Sequence, residues 1–186
     1  MEGSVFFICG IHTSGKTTIL KRLEDEKIIT FRGSEIGKEL YYERKVFTED
    51  FNEDFEKEIS ILELERDFKI QKEQNKLVGI ETWHPGNMAY AAVRNPSIFP
   101  YLKQNALKSP FIENAYGIWV KIDVSEMIKR TTNFKGQEEW AKKFYKEIDN
   151  QFEACFEELG LADRIHIVNG DTTIDTVLNQ IKSLLK

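Results

Sequence analysis

The chain has 186 residues and a mass of 21.7 kDa, enough for one domain with a sizeable core, and its 41% hydrophobic, 12% aromatic and 31% charged content excludes a globally disordered chain. Nineteen Lys and seven Arg stand against 31 acidic residues, a net charge of -5, so no overall positive field draws the molecule to nucleic acid or anionic lipid, and neither is expected as a partner. Cys9 and Cys155 lie in apolar segments without CxxC or Cys/His spacing, which excludes a disulfide framework and a zinc site and predicts two buried thiols.

Short β-rich runs occur in chain order at Ser4–Cys9, Ile28–Phe31, Leu77–Ile80, Tyr116–Ile122 and Ile165–Val168, separated by stretches long enough for helices. Alternation of this kind predicts a parallel sheet. The run Val5-Phe6-Phe7-Ile8-Cys9 is too short for a signal segment, and no stretch reaches membrane-spanning length, so a cytoplasmic protein is expected. Helices are predicted over Phe51–Lys76, with Phe51, Phe55, Ile59 and Leu62 on one face, and over Glu138–Leu159, with Phe144, Ile148, Phe152, Cys155 and Leu159 on another. A last helix, capped by Asp171 or Thr172, carries Ile174, Val177, Leu178, Ile181 and Leu185 on its core face. Pro85, Pro96, Pro100 and Pro110 fall together and predict an irregular middle in one domain spanning residues 1–186.

Directly after the first strand, Gly10-Ile11-His12-Thr13-Ser14-Gly15-Lys16-Thr17 matches GxxxxGK[ST], and the helical pattern beginning Thr18-Ile19-Leu20 follows at once. Each fixed position has a chemical reason. Gly10 and Gly15 let the backbone wrap a polyphosphate, and the N–H groups of His12, Thr13, Ser14 and the residues through Thr18 face its oxygens. Lys16 neutralises the transferring end, and the Thr17 hydroxyl can ligate Mg²⁺. The base-reading and switch motifs of small GTPases are missing: Asn75-Lys76-Leu77-Val78 ends in Val, and no DxxG occurs. A small ATP- and Mg²⁺-dependent kinase is the leading class.

Further segments resemble the thymidylate kinase group of P-loop nucleotide kinases. Phe31-Arg32-Gly33-Ser34-Glu35 is similar to that group's acceptor-gripping Arg segment, and Leu64-Glu65-Arg66-Asp67 to its stretch ending in a second acceptor Arg. Gly79-Ile80-Glu81-Thr82-Trp83, followed by His84 to Tyr90, resembles its acidic strand end, and Asp123-Val124 through Arg130 resembles the approach to its lid. The resemblance implies a P-loop NTPase-type three-layer α/β/α fold with a five-stranded parallel sheet in the order 2-3-1-4-5 and a short helical lid. It implies an acceptor-covering segment over about 32–76, a lid over about 129–143, and a homodimer. It assigns Lys16, Glu81 and Arg130 to catalysis, Thr17 and Glu81 to the metal, and Arg32 and Arg66 to an acceptor phosphate, which Arg grips with two prongs. The chain departs from the group's pattern at His12, Thr82 and Leu62, where a carboxylate, an Arg and a Phe are usual, and its lid offers only Lys135, Lys142 and Lys143 between Thr131 and Lys143.

The aromatic residues Trp83, Tyr90, Phe99 and Tyr101 could line an acceptor-base pocket, although core is the more frequent fate of such residues; Trp83 and Tyr90 are the substrate-binding candidates among them. Tyr41-Tyr42 and Phe47 to Phe51 read as stacking or packing. His12 and His84 are candidates for a change of charge near neutrality, and His166 for a structural histidine in the last strand. The expected acceptor is a nucleoside monophosphate or a nucleoside. A kinase of a non-nucleotide metabolite and a nucleotide-binding regulatory module with little transfer activity are the alternatives.

Overall fold

The computed structural model describes residues 5–44, 52–72 and 77–185. Five strands, β1 (Val5–Cys9), β2 (Phe31–Gly33), β3 (Val78–Glu81), β4 (Tyr116–Lys121) and β5 (Ile165–Asn169), form one parallel sheet in the order β2-β3-β1-β4-β5. The three central strands read as continuous apolar runs because both faces of the sheet are covered. On one face Phe7, Cys9, Ile80 and Trp119 pack beneath α4 (Trp83–Arg94), α5 (Phe99–Ala106) and α7 (Glu138–Glu158). On the other, Phe6, Ile8, Ile118 and Val120 meet Ile19, Leu20 and Leu23 of α1 (Lys16–Asp25) and Val177, Leu178 and Ile181 of α8 (Ile174–Leu184). The result is the expected three-layer α/β/α architecture. On the β2 side, α2 (Ile36–Arg44) and α3 (Glu53–Gln71) close on each other through Ile36, Leu40, Phe55 and Ile59, and α3 also packs against α4 and α5, with Ile70 in the core of that layer. The short α6 (Val124–Lys129) leads through residues 130–137 into α7.

Several expected boundaries move, each for a physical reason. The second strand begins at Phe31 and not at Ile28, because Ile28 and Ile29 finish α1: their N–H groups reach back to the Leu23 carbonyl, and Ile29 is buried against the α1 face. Helix α3 is shorter than the pattern predicts. Asn52 caps it by accepting from the Phe55 N–H at 3.0 Å, and Phe51 and residues 73–76 of the expected span lie outside the described residues, as does the Phe47–Phe51 run. The cap of α8 is Thr173, which accepts from the Thr176 N–H; Asp171 instead accepts from the Asp123 N–H and so ties the α8 approach to the α6 approach. The middle of the chain is helical, not irregular. Pro85 and Pro100 sit in the first turns of α4 and α5, where a missing N–H costs no intrahelical bond.

Candidate functional site

The loop between β1 and α1 is built from backbone conformations that side chains resist. Gly10 has φ 146°, and a Cβ there would lie 2.4 Å from the Val120 carbonyl oxygen; Gly15 has φ 95° and stands at the N-cap of α1. Thr13, with φ 56°, is held in that region by a hydroxyl that donates to the Met127 carbonyl at 3.3 Å. The first turn of α1 carries no acidic residue, so its N–H groups and dipole are left to attract an anion. Lys16 is 7% exposed and its ammonium donates to the carbonyls of Gly10 at 2.9 Å and Ile11 at 3.1 Å, which curls it around the loop. The Ser14 hydroxyl is buried without a hydrogen-bond partner, an orphan in the same cradle.

The Thr17 hydroxyl donates to the Glu81 carboxylate at 2.6 Å. The pairing follows from topology, since β3 lies directly beside β1 with Ile8 opposite Glu81, and the strand ends where α1 begins. These are hard oxygen donors, and among the described residues no group of three or more His, Cys, Asp and Glu side chains could cage a metal alone. One carboxylate and one hydroxyl fit an ion such as Mg²⁺ that takes its remaining ligands from phosphate oxygens and water.

Thr17 and Glu81 open onto a cavity of about 1330 Å³. His12, Thr13, Gly15, Lys16, Thr18 and Tyr90 of the expected site residues also line it. Gly10 and Ser14 stay in the loop behind this lining, and Arg32, Arg66, Trp83 and Arg130 do not line the cavity. The Arg32 guanidinium pairs with Glu24 of α1 at 3.1 Å. Arg66 donates to the Ser34 carbonyl at 2.9 Å and pairs with Glu63 at 3.3 Å, beside a separate cavity of about 480 Å³ between α2 and α3. Trp83 is fully buried and donates its indole N–H to Asp67 at 3.0 Å, so its faces are taken by the core. Arg130 donates to the Gly170 carbonyl at 2.9 Å and pairs with Glu126 at 3.1 Å. His166 lies exposed on the edge strand β5, far along the sheet from β3.

Other residues complete the cavity. Glu35, just before α2, faces it, and burial together with the nearby Glu81 charge pushes its carboxyl up, against the pull of Lys16, Lys38 and Arg94. Arg94 lies one turn after Tyr90 on α4, its guanidinium 5.4 Å from the Tyr90 ring centre and gripped by the buried Glu56 at 2.9 and 3.1 Å. Its i,i+4 spacing from Tyr90 was the available signal. The lid side contributes aromatic rings to the cavity wall: Trp140 and Phe144 stack with ring centres 5.0 Å apart, and Phe134 meets Tyr145 at 5.4 Å. His12 lies against Phe134 and Tyr145, and burial, then Lys16 and Lys38, pull its pKa down to about 4. It is neutral at pH 7, whereas His84 is displaced the other way, to about 9. Neither histidine titrates near neutrality.

No family model matches the chain, and no curated protein matches it in sequence. Solved structures do match its fold. A deoxyadenosine kinase from M. mycoides aligns with TM-score 0.65 and 14% identity over 97% of both chains. A thymidylate kinase from Ehrlichia chaffeensis aligns with TM-score 0.69 and 16% identity over 98% of this chain and 97% of that one. NadR in complex with NAD and AMP-PNP aligns with TM-score 0.71 and 13% identity over 97% of this chain but only 49% of its own length. The chain therefore has the fold of the P-loop kinases, and at these identities the likeness extends to the fold alone.

Proposed function

We propose that the chain is an ATP- and Mg²⁺-dependent phosphotransferase that moves the γ-phosphoryl group to a hydroxyl of a small aromatic acceptor of the nucleoside class. The observation that carries the reading is the contact between Thr17 of the phosphate-binding loop and Glu81 at the end of the neighbouring strand, on the wall of a cavity that Glu35 also faces. Thr17 and Glu81 would hold Mg²⁺, which supplies charge neutralisation at the phosphates. The loop backbone and α1 bind the polyphosphate, and Lys16 swings from the Gly10 and Ile11 carbonyls to the transferring end. Glu35 accepts the proton of the acceptor hydroxyl as its oxygen bonds to the γ-phosphorus and the bond to the β-phosphate oxygen breaks, releasing ADP.

A hydroxyl acceptor is favoured over a phosphate acceptor because Arg32 and Arg66 are committed to other partners and Arg94 is held by Glu56. The orphan Asn87 amide N–H₂, which faces the cavity, suits recognition of a neutral polar group, and Tyr90, Trp140 and Phe144 offer flat apolar walls for a ring. The shared fold with a deoxyadenosine kinase is in keeping with this acceptor class.

The test is ADP release from ATP and Mg²⁺ across nucleosides, nucleoside monophosphates and hydroxylated metabolites. Nucleosides should stimulate turnover, and Glu81→Gln should lower it at least about tenfold with the fold intact. Stimulation by monophosphates alone overturns the acceptor assignment, and a Glu81→Gln protein of unchanged rate overturns the role of Glu81.

A further inference from the structure

The chain leaves β3 through an unusual turn. Thr82 has φ 67° and Trp83 φ 54°, two consecutive non-glycine residues in a region that L side chains avoid, the first of them β-branched. Immediately before them stands Glu81, whose carboxylate accepts from Thr17. If Thr82 and Trp83 relaxed to negative φ, the peptide carrying Glu81 would rotate and its carboxylate would swing away from the phosphate-binding loop. Something must hold the turn.

The backbone supplies two restraints, Thr82 N–H to the Ile8 carbonyl at 2.8 Å and Gly86 N–H to the Thr82 carbonyl at 3.2 Å. The side chains supply the rest, and they converge on two carboxylates of α3. Asp67 accepts from the Trp83 indole at 3.0 Å, from Ser109 at 2.5 Å and from His84 Nε2 at 3.0 Å, while His84 Nδ1 lies 3.1 Å from Glu63. Glu63 and Asp67 are one helical turn apart and wholly buried, and His84 is 2% exposed. Nε2 is hydrogen-bonded to Asp67, whereas the Nδ1–Glu63 contact is an ion pair that leaves Glu63 Oε2 without a hydrogen-bond partner, so a positively charged ring suits both sides better than a neutral one, which would turn a lone pair toward one carboxylate. Arg66, at 3.3 Å from Glu63 and 3.8 Å from Asp67, supplies the second positive charge, so two anions meet two cations.

We propose that His84 is a positioning residue: as a ring held between Glu63 and Asp67, hydrogen-bonded to Asp67 and ion-paired with Glu63, it pins the Thr82–Trp83 turn to α3 and thereby aims Glu81 at Thr17. The proposal rests on the reading that Glu81 and Thr17 organise the metal. It also explains why α3, which forms the cavity wall with Phe55 and Ile59, carries the acidic side chains of Glu63 and Asp67 on its buried face. The charges facing the ring are Glu63, Arg66 and Asp67 from α3, with neutral Trp83 and Ser109 completing Asp67. Burial lowers the His84 pKa, but the two carboxylates raise it more, to about 9. The clamp is therefore closed at neutral pH and opens as pH rises through about 9.

The experiment measures Mn²⁺ affinity in the presence of AMP-PNP by electron paramagnetic resonance, for the wild type, Glu81→Gln and His84→Gln, from pH 7 to 10. Glu81→Gln should weaken Mn²⁺ binding; if it does not, the metal reading itself fails, and the proposal with it. His84→Gln should weaken Mn²⁺ binding about tenfold at pH 7, as loss of a supporting group behind a metal carboxylate does, and should lose the decline in affinity that the wild type shows above pH 9. A folded His84→Gln protein with wild-type affinity and the same pH profile, beside a Glu81→Gln protein that has lost affinity, overturns the proposal alone. Should His84→Gln not fold, ¹⁵N resonances of the wild-type rings decide: His84 should titrate with the same midpoint as Mn²⁺ affinity, and a titration that leaves affinity unchanged refutes the coupling.

Discussion

Glu35→Gln isolates the proton-accepting step from everything else the cavity does. The substitution keeps the shape of the side chain and removes the charge that would accept the proton of an acceptor hydroxyl. A positioned general base contributes about 10²- to 10⁴-fold to rate, so kcat should fall by that factor, while KM for ATP, which is held by the loop around Lys16, should change by less than about threefold. The pH profile gives the sharper signature. Burial and the Glu81 charge raise the Glu35 pKa above 4.5, and only the ionised form accepts a proton, so wild-type activity should fall as pH drops through a midpoint above the ordinary carboxylate range. Glu35→Gln should lose that limb. Its stability should move the opposite way from its activity: with a raised folded pKa, the native state holds more protons than the unfolded chain just above pH 4.5, and an ionised Glu35 costs stability as pH rises through that window. The Gln protein should thus melt no lower than wild type at pH 7. Steady-state ADP release from pH 4.5 to 9, with thermal melts at pH 4.5 and pH 7, provides both readouts. A variant that keeps kcat within about threefold, or keeps the acid limb, would remove Glu35 from the chemistry.

Arg66→Ala should lower thermal stability and leave acceptor KM unchanged, because it strips a cation from the wholly buried Glu63 and Asp67. Breaking a buried ion pair in this way costs about 3–5 kcal/mol, and a folded variant with weakened acceptor binding instead would return Arg66 to the site. Lys16→Ala should abolish transfer and weaken ATP binding sharply, read by calorimetry and ADP release, since it removes the ammonium that spans the Gly10 and Ile11 carbonyls of the loop.

The architecture was legible in the chain because alternating apolar runs and a strand-to-helix glycine loop are local signals, and local signals decide strand count, parallel pairing and the place of the phosphate cradle. What each charged side chain faces was not legible. Arg32 and Arg66 each stand in a motif-like stretch, yet a guanidinium goes to the nearest carboxylate or carbonyl that the fold delivers, and for these two that is Glu24 on α1 and Ser34 with Glu63. Trp83 stands two residues after Glu81, but positive φ at Thr82 and at Trp83 itself turn it from the cavity into the core. His12 and His84 make the point most clearly, since both are embedded histidines near one phosphate loop and their pKa values separate to about 4 and about 9. Burial disfavours the charged ring in both cases, and the sign of the neighbours decides the outcome: lysines around His12, carboxylates around His84. Those neighbours come from α2, α3 and the loop itself, brought together by tertiary packing alone. His12 therefore stays neutral in the loop, and the His84 imidazolium lies between Glu63 and Asp67, outside the residues that line the cavity, so it does not compete for the phosphates.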